Sequence, residues 1–377
     1  MIFSRLFQSY FLGGFECSTH RRHDGRRLDL LAATHHDLAA RYDYHTLLEH
    51  GISTVRDGLR WYLIETSQGR YDWSSFVPML QASRELNMQV IWDLCHYGWP
   101  DAVDIWAPAF VGRFTAFVKA VAQLIRNETD QVPFYCPINE ISYWAWAGGE
   151  VAQFNPLAHR RGSELKRQLV RATIAAIEAI WDVDARARIV HAEPVIYVTA
   201  HPSRPRDRSA AERYRLAQFE AWDMLTGRLY PELGGRPAYL DIAGVNYYSD
   251  NQWFLRGRTI PPTHARYRPF RELVSEVYSR YARPILIAET GAEDEARQPW
   301  LSYVASEVYA AVEAGVPVAG ICLYPIVDYP GWRNGRHCRV GLLGPLDEHG
   351  QRSRYAPLVE ELTRQQIRFA SLLARAA

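Results

Sequence analysis

Short apolar runs alternate with longer amphipathic stretches from one end of the chain to the other. Strand-like runs rich in β-branched and aromatic residues occur at Phe11–Phe15, Ser53–Leu59, Gln89–Leu94, Phe134–Ile138, Ile189–Ala192, Ile242–Tyr247, Ile285–Ala288 and Gly320–Tyr324. Between them, apolar positions recur three and four residues apart. That spacing predicts helices over Asp37–Glu49, Ser74–Leu86, Val111–Ile125, Glu164–Trp181, Ala210–Leu225, Arg271–Tyr281, Trp300–Ala314 and Leu358–Leu373. In the fourth of these, Leu169, Ala172, Ile174, Ala176, Ile177 and Ile180 leave a mostly polar opposite face, as expected of a helix laid on a core. A strand-then-helix unit repeated about eight times predicts an α/β fold with a parallel sheet. Closed on itself, that sheet is a (β/α)₈ barrel. The alternative, a doubly wound open sheet, would want a glycine-rich phosphate turn after the first strand. Gly13 and Gly14 lie before or within that strand instead. Two proline-rich segments, Ala200–Arg206 and Thr259–Pro269, read as surface loops. With no linker, repeat or low-complexity tract, one catalytic domain is expected over residues 1–377.

Composition narrows the classes of partner. The 377 residues are 48% hydrophobic and 23% charged, enough for a large core, and the formal net charge is +1. A neutral balance argues for neither nucleic acid nor an anionic membrane surface. The basic residues are almost all arginine, which reads as a compositional habit. No apolar run is long enough to span a bilayer. The N-terminal MIFSRLFQSYFLGGF is interrupted by Arg5, Gln8 and Ser9 and has no clean leader pattern, so a soluble, cytoplasmic protein is expected. Of the 5 cysteines, Cys17, Cys95, Cys136 and Cys322 sit in or just after strand-like runs, which favours buried thiols over disulfides. Aromatics make up 13%, with 12 Trp and 22 Tyr, which suits either a large core or the stacking of sugar rings.

A barrel places its working residues at the C-terminal ends of the strands. Those ends carry Glu16 and His20, Arg56, Asp57 and Arg60, Asp93 and His96, Asn139 and Glu140, Glu193, Asn246 and Tyr247, Glu289, and Tyr324 and Asp328. Glu140 and Glu289 end the fourth and seventh strands, which face each other across the mouth. Two opposed carboxylates are what glycoside hydrolysis needs: one protonates the leaving oxygen, and the other attacks or activates water. Either glutamate alone could be a structural partner of an arginine. The two together at these ends favour catalysis.

The motifs resemble glycoside hydrolase family 1. The family's Asn-Glu-Pro after strand four stands here as Ile138-Asn139-Glu140-Ile141, and its Ile-Thr-Glu-Asn-Gly after strand seven as Ile287-Ala288-Glu289-Thr290-Gly291. The resemblance implies that Glu140 is the acid/base, Glu289 the nucleophile and Asn139 a ligand of the sugar 2-hydroxyl. It also implies that Arg56 pairs with the nucleophile. Within Leu94–Pro100, His96 would bind the sugar. Within Val245–Tyr248, Tyr247 would hydrogen-bond the nucleophile beside Asn246. Tyr324–Trp332 runs in register with the strand-eight segment, with Trp332 closing it. The chemistry agrees, since Arg56 would favour an ionised Glu289. Desolvation by Tyr143, Trp144 or Trp146 would keep the proton on Glu140. Carboxyls ~5–5.5 Å apart would give retention of configuration.

This chain departs from the family pattern at several points. Tyr324 replaces a Trp, Gly331 replaces the Glu that holds the sugar's outer hydroxyls, and Ile141 replaces Pro. The first-strand Gln aligns loosely with Arg21, while Glu16 and His20 are polar groups of this chain's own. The outer hold on the sugar is therefore rebuilt. Without a Ser-x-Lys-Tyr pattern, a 6-phosphoglycoside is not expected. Glu193 could bind substrate or pair with an arginine. Trp99 and Trp253 could be sugar platforms, and Asp328 a structural hydrogen-bonding residue. Thr34-His35-His36-Asp37 reads as a helix start capped by Asp37 or Thr34 rather than a metal site. His20 and His23 lack further ligands. The expectation is a retaining β-glycosidase without metal or cofactor, acting on a carbohydrate or glycoside. One alternative is transglycosylation onto an acceptor bound by Trp144, Trp146 and Trp253. The other is a barrel that binds glycans without turnover.

Overall fold

A computed structural model describes residues 6–376; the first five residues of the apolar N-terminal stretch lie outside it. Eight parallel strands close into a barrel in chain order. They are β1 (Phe11–Gly14), β2 (Thr54–Gly58), β3 (Gln89–Asp93), β4 (Phe134–Cys136), β5 (Arg188–Pro194), β6 (Ile242–Asn246), β7 (Ile285–Thr290) and β8 (Val318–Leu323). Pairing of Phe11 with Ile321 and of Gly13 with Val55 joins β1 to both neighbours and closes the ring. The strands read as continuous apolar runs because both of their faces are covered. On β7, Leu286 and Ala288 join the inner cluster with Leu12, Ile91 and Val190, whereas Ile285 and Ile287 pack outward under the helices.

The surrounding helices are α1 (His36–Glu49), α2 (Val77–Glu85), α3 (Ala109–Glu128), α4 (Gly162–Val183), α5 (Arg208–Leu216), α6 (Glu220–Leu225), α7 (Phe270–Tyr281), α8 (Arg297–Glu313) and α9 (Ala356–Ala376). Helix α3 buries Phe110, Phe114, Phe117, Val121 and Ile125 along one stripe. Full burial of each such side chain contributes about 1.5–3 kcal/mol. No helix among the described residues is long and apolar enough to cross a membrane.

Two local expectations differ from the structure. The helix expected over Ala210–Leu225 is broken into α5 and α6 by a tight turn at Ala217–Phe219. There Gln218 donates back to Arg215 O at 2.6 Å and to Ile196 O at 3.1 Å, tying the break to the chain after β5. Helix α1 is preceded by His35 in a left-handed conformation, φ 56°, not capped by Thr34 or Asp37. Asp37 instead accepts from Arg60 at 2.7 Å. Beyond the eight units, Tyr197–Thr199 pairs in parallel with Gln252–Phe254, joining the loops after β5 and β6. All five cysteines are free and buried, as the strand-like setting of four of them predicts.

Candidate active site

Arg56 organises the barrel mouth. The pleat of β2 turns Val55 and Asp57 outward and Arg56 inward. Its guanidinium, fully buried, donates to Glu289 Oε1 at 2.7 Å, to Asp93 Oδ1 and Oδ2 at 2.9 and 2.7 Å, and to Asn139 Oδ1 at 2.6 Å. A buried cation survives only when paired and hydrogen-bonded in this way. Glu289 reaches it through a register irregularity. Strict alternation after Ala288 would send residue 289 outward, but β7 slips against β6 between Ile287 and Glu289. Such a bulge re-aims one side chain. The second oxygen of Glu289 accepts from the Tyr248 hydroxyl at 2.9 Å.

Glu140 is built differently. Its backbone is left-handed, φ 44° and ψ 62°, at the head of the short helix Ile141–Trp144. A non-glycine residue held so costs ~1–3 kcal/mol and persists only where its surroundings impose it. Two anchors on β5 do so. Glu140 N–H donates to Ala192 O at 3.0 Å, and Ser142 N–H donates to Glu193 Oε2 at 3.0 Å. The Glu140 carboxylate accepts from Tyr97 Oη at 2.6 Å and from Asn246 Nδ2 at 2.9 Å. Burial, and next the charge of Glu289, push it up to about 7, while the two hydrogen bonds pull the other way. Asn246, whose side chain donates to Glu140, stands in backbone register with Glu289 on the next strand.

The rest of the mouth is polar and incompletely satisfied. Asn139 Nδ2 lies 3.0 Å from His96 Nε2, and His96 Nδ1 lies 3.1 Å from Asp93. An amide donor at Nε2 requires the neutral ring to carry its proton on Nδ1. Glu16 accepts from Ser18 N–H at 3.0 Å and lies 3.9 Å from His96. Burial raises its pKa; His96 opposes and Glu289 adds to the rise. Burial, and next His96, push His20 down to about 3, so it is neutral. The buried atoms His20 Nδ1, Tyr324 Oη, Trp332 Nε1 and Asn246 Oδ1 have no protein partner. Groups of this kind ask for a hydrogen-bonding ligand. The Trp332 ring stands 4.6 Å from His20 and 5.7 Å from Tyr97. A Cβ on Gly14 would lie 2.2 Å from the Tyr324 ring, so glycine there makes room for it.

The structure therefore gathers Arg56, His96, Asn139, Glu140, Asn246, Glu289, Glu16, Tyr324 and Trp332 at one mouth, and it corrects four expectations. The Tyr247 hydroxyl does not reach Glu289. It lies 2.6 Å from Tyr267 Oη, and its ring stacks on Phe270 at 4.0 Å. Alternation past Asn246 turns Tyr247 outward and returns Tyr248 to the mouth. Trp144 is fully buried, with its indole donating to Asn155 O at 2.9 Å and its ring packed 5.7 Å from Tyr97 and 5.7 Å from Trp99. It supports the wall and offers no face to a ligand. Glu193 pairs with no arginine and touches the Ser142 amide instead; burial pushes it up to about 8. Arg21 is a rim residue paired with Asp101 through Nε at 2.8 Å, which leaves Glu16 and His20 as the groups after the first strand at the site.

Of the remaining candidates, Trp99 donates to Val103 O within the wall, and Asp328 accepts from Gly341 N–H, a structural role. Tyr97 and Tyr248 were missed, though both lie inside motifs that single out a neighbour. Cys17, Asp93 and His96 bring ligand-type atoms within 4.8 Å of one another. Both Asp93 oxygens already accept from the Arg56 cation, so the set fits a hydrogen-bonded cluster rather than a metal centre. Beside the Glu140 helix a cavity of about 650 Å³ is lined by Tyr143, Trp146, Ile196, Tyr214 and Trp253.

No protein-family model matches the chain. It is 24% identical over 335 residues, 78% of this chain and 50% of the other, to the rice (Oryza sativa subsp. japonica) protein "Beta-glucosidase-like SFR2, chloroplastic". It is 27% identical over 137 residues, 32% of this chain and 22% of the other, to the Arabidopsis thaliana "Galactolipid galactosyltransferase SFR2, chloroplastic". The chain thus spans half or less of the length of these two curated relatives. Its fold matches β-glucosidase from Thermotoga maritima in complex with glucoimidazole. The TM-score is 0.77 at 15% identity, covering 95% of this chain and 98% of that one.

Proposed function

We propose that the chain is a divergent relative of the family 1 β-glucosidases and a retaining β-glycosidase. One observation carries the reading. Two buried carboxylates share a mouth, one clamped by an arginine and a tyrosine hydroxyl, the other desolvated and pushed up to about 7. These are the settings that a nucleophile and an acid/base require. Glu289 attacks the anomeric carbon while Glu140 gives its proton to the leaving oxygen, and a covalent glycosyl-enzyme forms. Glu140 then takes a proton from water as it attacks the same carbon, and Glu289 leaves. Arg56 and Tyr248 hold Glu289. Tyr97 and Asn246 hold Glu140. Asn139 and His96 face the sugar beside the reacting carbon, and Glu16, His20, Tyr324 and Trp332 meet its far side. No cofactor or metal takes part. One catalytic unit spans residues 1–377, and the free thiols support a reducing compartment such as the cytoplasm.

The test is intact-mass spectrometry after incubation with a panel of 2-deoxy-2-fluoro glycosyl donors. One sugar should give a stable adduct that Glu289→Gln abolishes. Turnover of a natural substrate that survives Glu289→Gln would overturn the assignment.

The aromatic cavity beside Glu140 favours a second reading at the same centre, transfer of the glycosyl group to an acceptor other than water. The name of the Arabidopsis relative, a galactosyltransferase, supports it. Product analysis with added alcohols distinguishes the two: hydrolysis alone leaves the free sugar, and transfer leaves a new glycoside.

A further inference from the structure

The loops after β5 and β6 are unlike the rest of the surface. Residues 200–216 and 255–266 contain eight arginines and two acidic residues, Asp207 and Glu212, a segment charge of +6 on a chain whose net charge is +1. Elsewhere the arginines are commonly ion-paired, as Arg186 is with Asp184 and Arg271 with Glu307. Here one arginine, Arg215, is paired with Glu212 and Glu276. Arg204, Arg206, Arg208 and Arg213 on the first segment are exposed and carry no ion pair. The same holds for Arg256, Arg258 and Arg266 on the second. The two segments are one surface, because Tyr197–Thr199 and Gln252–Phe254 join them by a parallel ladder. Gathering so many like charges destabilises the fold unless an anionic partner offsets the repulsion.

The surface is also apolar in places. Helix α5 exposes Tyr214 and Leu216, 39% and 42%, between its arginines. Trp146 is exposed and lines the 650 Å³ cavity, and the chain after it exposes Val151 and Leu157. Exposed aliphatic side chains among cations suit the boundary of a lipid layer, where they insert while arginine meets the headgroups. Nucleic-acid bases would use the aromatics but not Val151, Leu157 or Leu216.

The geometry points to these two arginine loops as a docking surface for an anionic lipid layer, which holds the barrel mouth against it. The docking stands apart from the glycosidase reading. Its consequence, that an amphiphilic glycoside reaches Glu140 and Glu289 from the lipid through the aromatic cavity, rests on that reading.

Sedimentation with vesicles tests the surface. The full chain should pellet with vesicles of phosphatidylcholine plus phosphatidylglycerol, stay in solution with phosphatidylcholine alone, and be released by salt. The variant R206E/R208E/R256E/R258E should partition ~100-fold less or weaker still. None of these four residues belongs to the reacting centre, so circular dichroism and any turnover of a soluble aryl glycoside should match the parent chain. The lipid and salt comparisons on the parent chain decide the matter even if the variant fails to fold. Indifference to anionic vesicles, or equal partition of parent and folded variant, overturns the proposal. Tighter binding to RNA or duplex DNA than to vesicles at the same salt also overturns it and assigns the surface to nucleic acid. A chain that docks but turns over no glycoside would sink the functional reading and leave the docking intact.

Discussion

Two neighbouring residues of β2 feed two buried charge clusters on opposite faces of the barrel wall. Arg56 points into the mouth, where it holds Glu289, Asp93 and Asn139. Asp57 points outward, accepting from Tyr44 Oη at 2.5 Å and lying 2.8 Å from His36 Nε2. His36 Nδ1 is 2.7 Å from Asp43, which Arg352 clamps at 2.6 and 3.0 Å. Arg352 then completes its donors on Thr34 O and Gly344 O. The outer cluster is closed: its side chains are wholly or almost wholly buried, and it joins α1 and the C-terminal hairpin to the sheet. The inner cluster is open. Around it stand polar atoms without protein partners, a left-handed Glu140, and a carboxyl pushed up to about 7. Buried charge by itself therefore does not mark function. Unspent hydrogen-bonding capacity and stored backbone strain do.

Substitutions at the two clusters should separate activity from stability. On the proposed mechanism Glu289→Gln should cost roughly 10⁴-fold or more in turnover with little change in Tm, since removing a covalent nucleophile is among the largest single losses an enzyme shows. Arg352→Met should do the reverse. It leaves two buried carboxylates, Asp43 and Asp57, against the single His36 cation and should lower unfolding stability by ~3–5 kcal/mol in urea titrations, while activity per folded molecule is kept. Equal losses of both properties in either variant would erase the distinction.

A pH titration sharpens it. Against the cost of burial, Asp57 and Asp43 raise His36 to about 9. The folded state therefore binds the proton more tightly than the unfolded chain does. The stabilisation, roughly 3 kcal/mol, is complete below the ordinary histidine pKa and is lost as pH rises through about 9. Urea midpoints should fall over that window, and His36→Gln should flatten the fall.

Smaller effects are expected at the residues that hold Glu140. Tyr97→Phe removes a donor that favours the ionised carboxylate, so the Glu140 proton is held to higher pH. The alkaline limb of kcat/KM, set by loss of that proton, should move upward from near 7. A downward shift would contradict the assignment of Glu140 as acid. Glu193→Ala frees Ser142 N–H and should lower kcat/KM roughly tenfold for glycosides with poor leaving groups and less for activated ones. Glu193→Gln, which can still accept that hydrogen bond, should restore most of the loss. Equal loss on both substrate types, with no rescue by Gln, would reduce Glu193 to a packing role.

Much of the fold was legible in the sequence, and so were the two carboxylates proposed to react. Alternating apolar runs and amphipathic stretches determined a parallel barrel, because strands buried on both faces and helices buried on one leave different periodicities. Barrel topology then required the polar groups to stand at strand ends, which singled out Arg56, Asn139, Glu140 and Glu289. Tertiary structure alone decided which neighbour within a motif does the work. Tyr248 and not Tyr247 meets Glu289, and Glu16 and not Arg21 enters the mouth. Trp144 supports the wall, and Glu193 anchors the backbone beside Glu140. A one-residue slip or bulge reverses the direction of a side chain without changing the composition of a motif. For the same reason a net charge of +1 concealed seven unpaired arginines on one surface. The sum of charges follows from the chain alone, but their distances from one another are settled only when the loops after β5 and β6 meet.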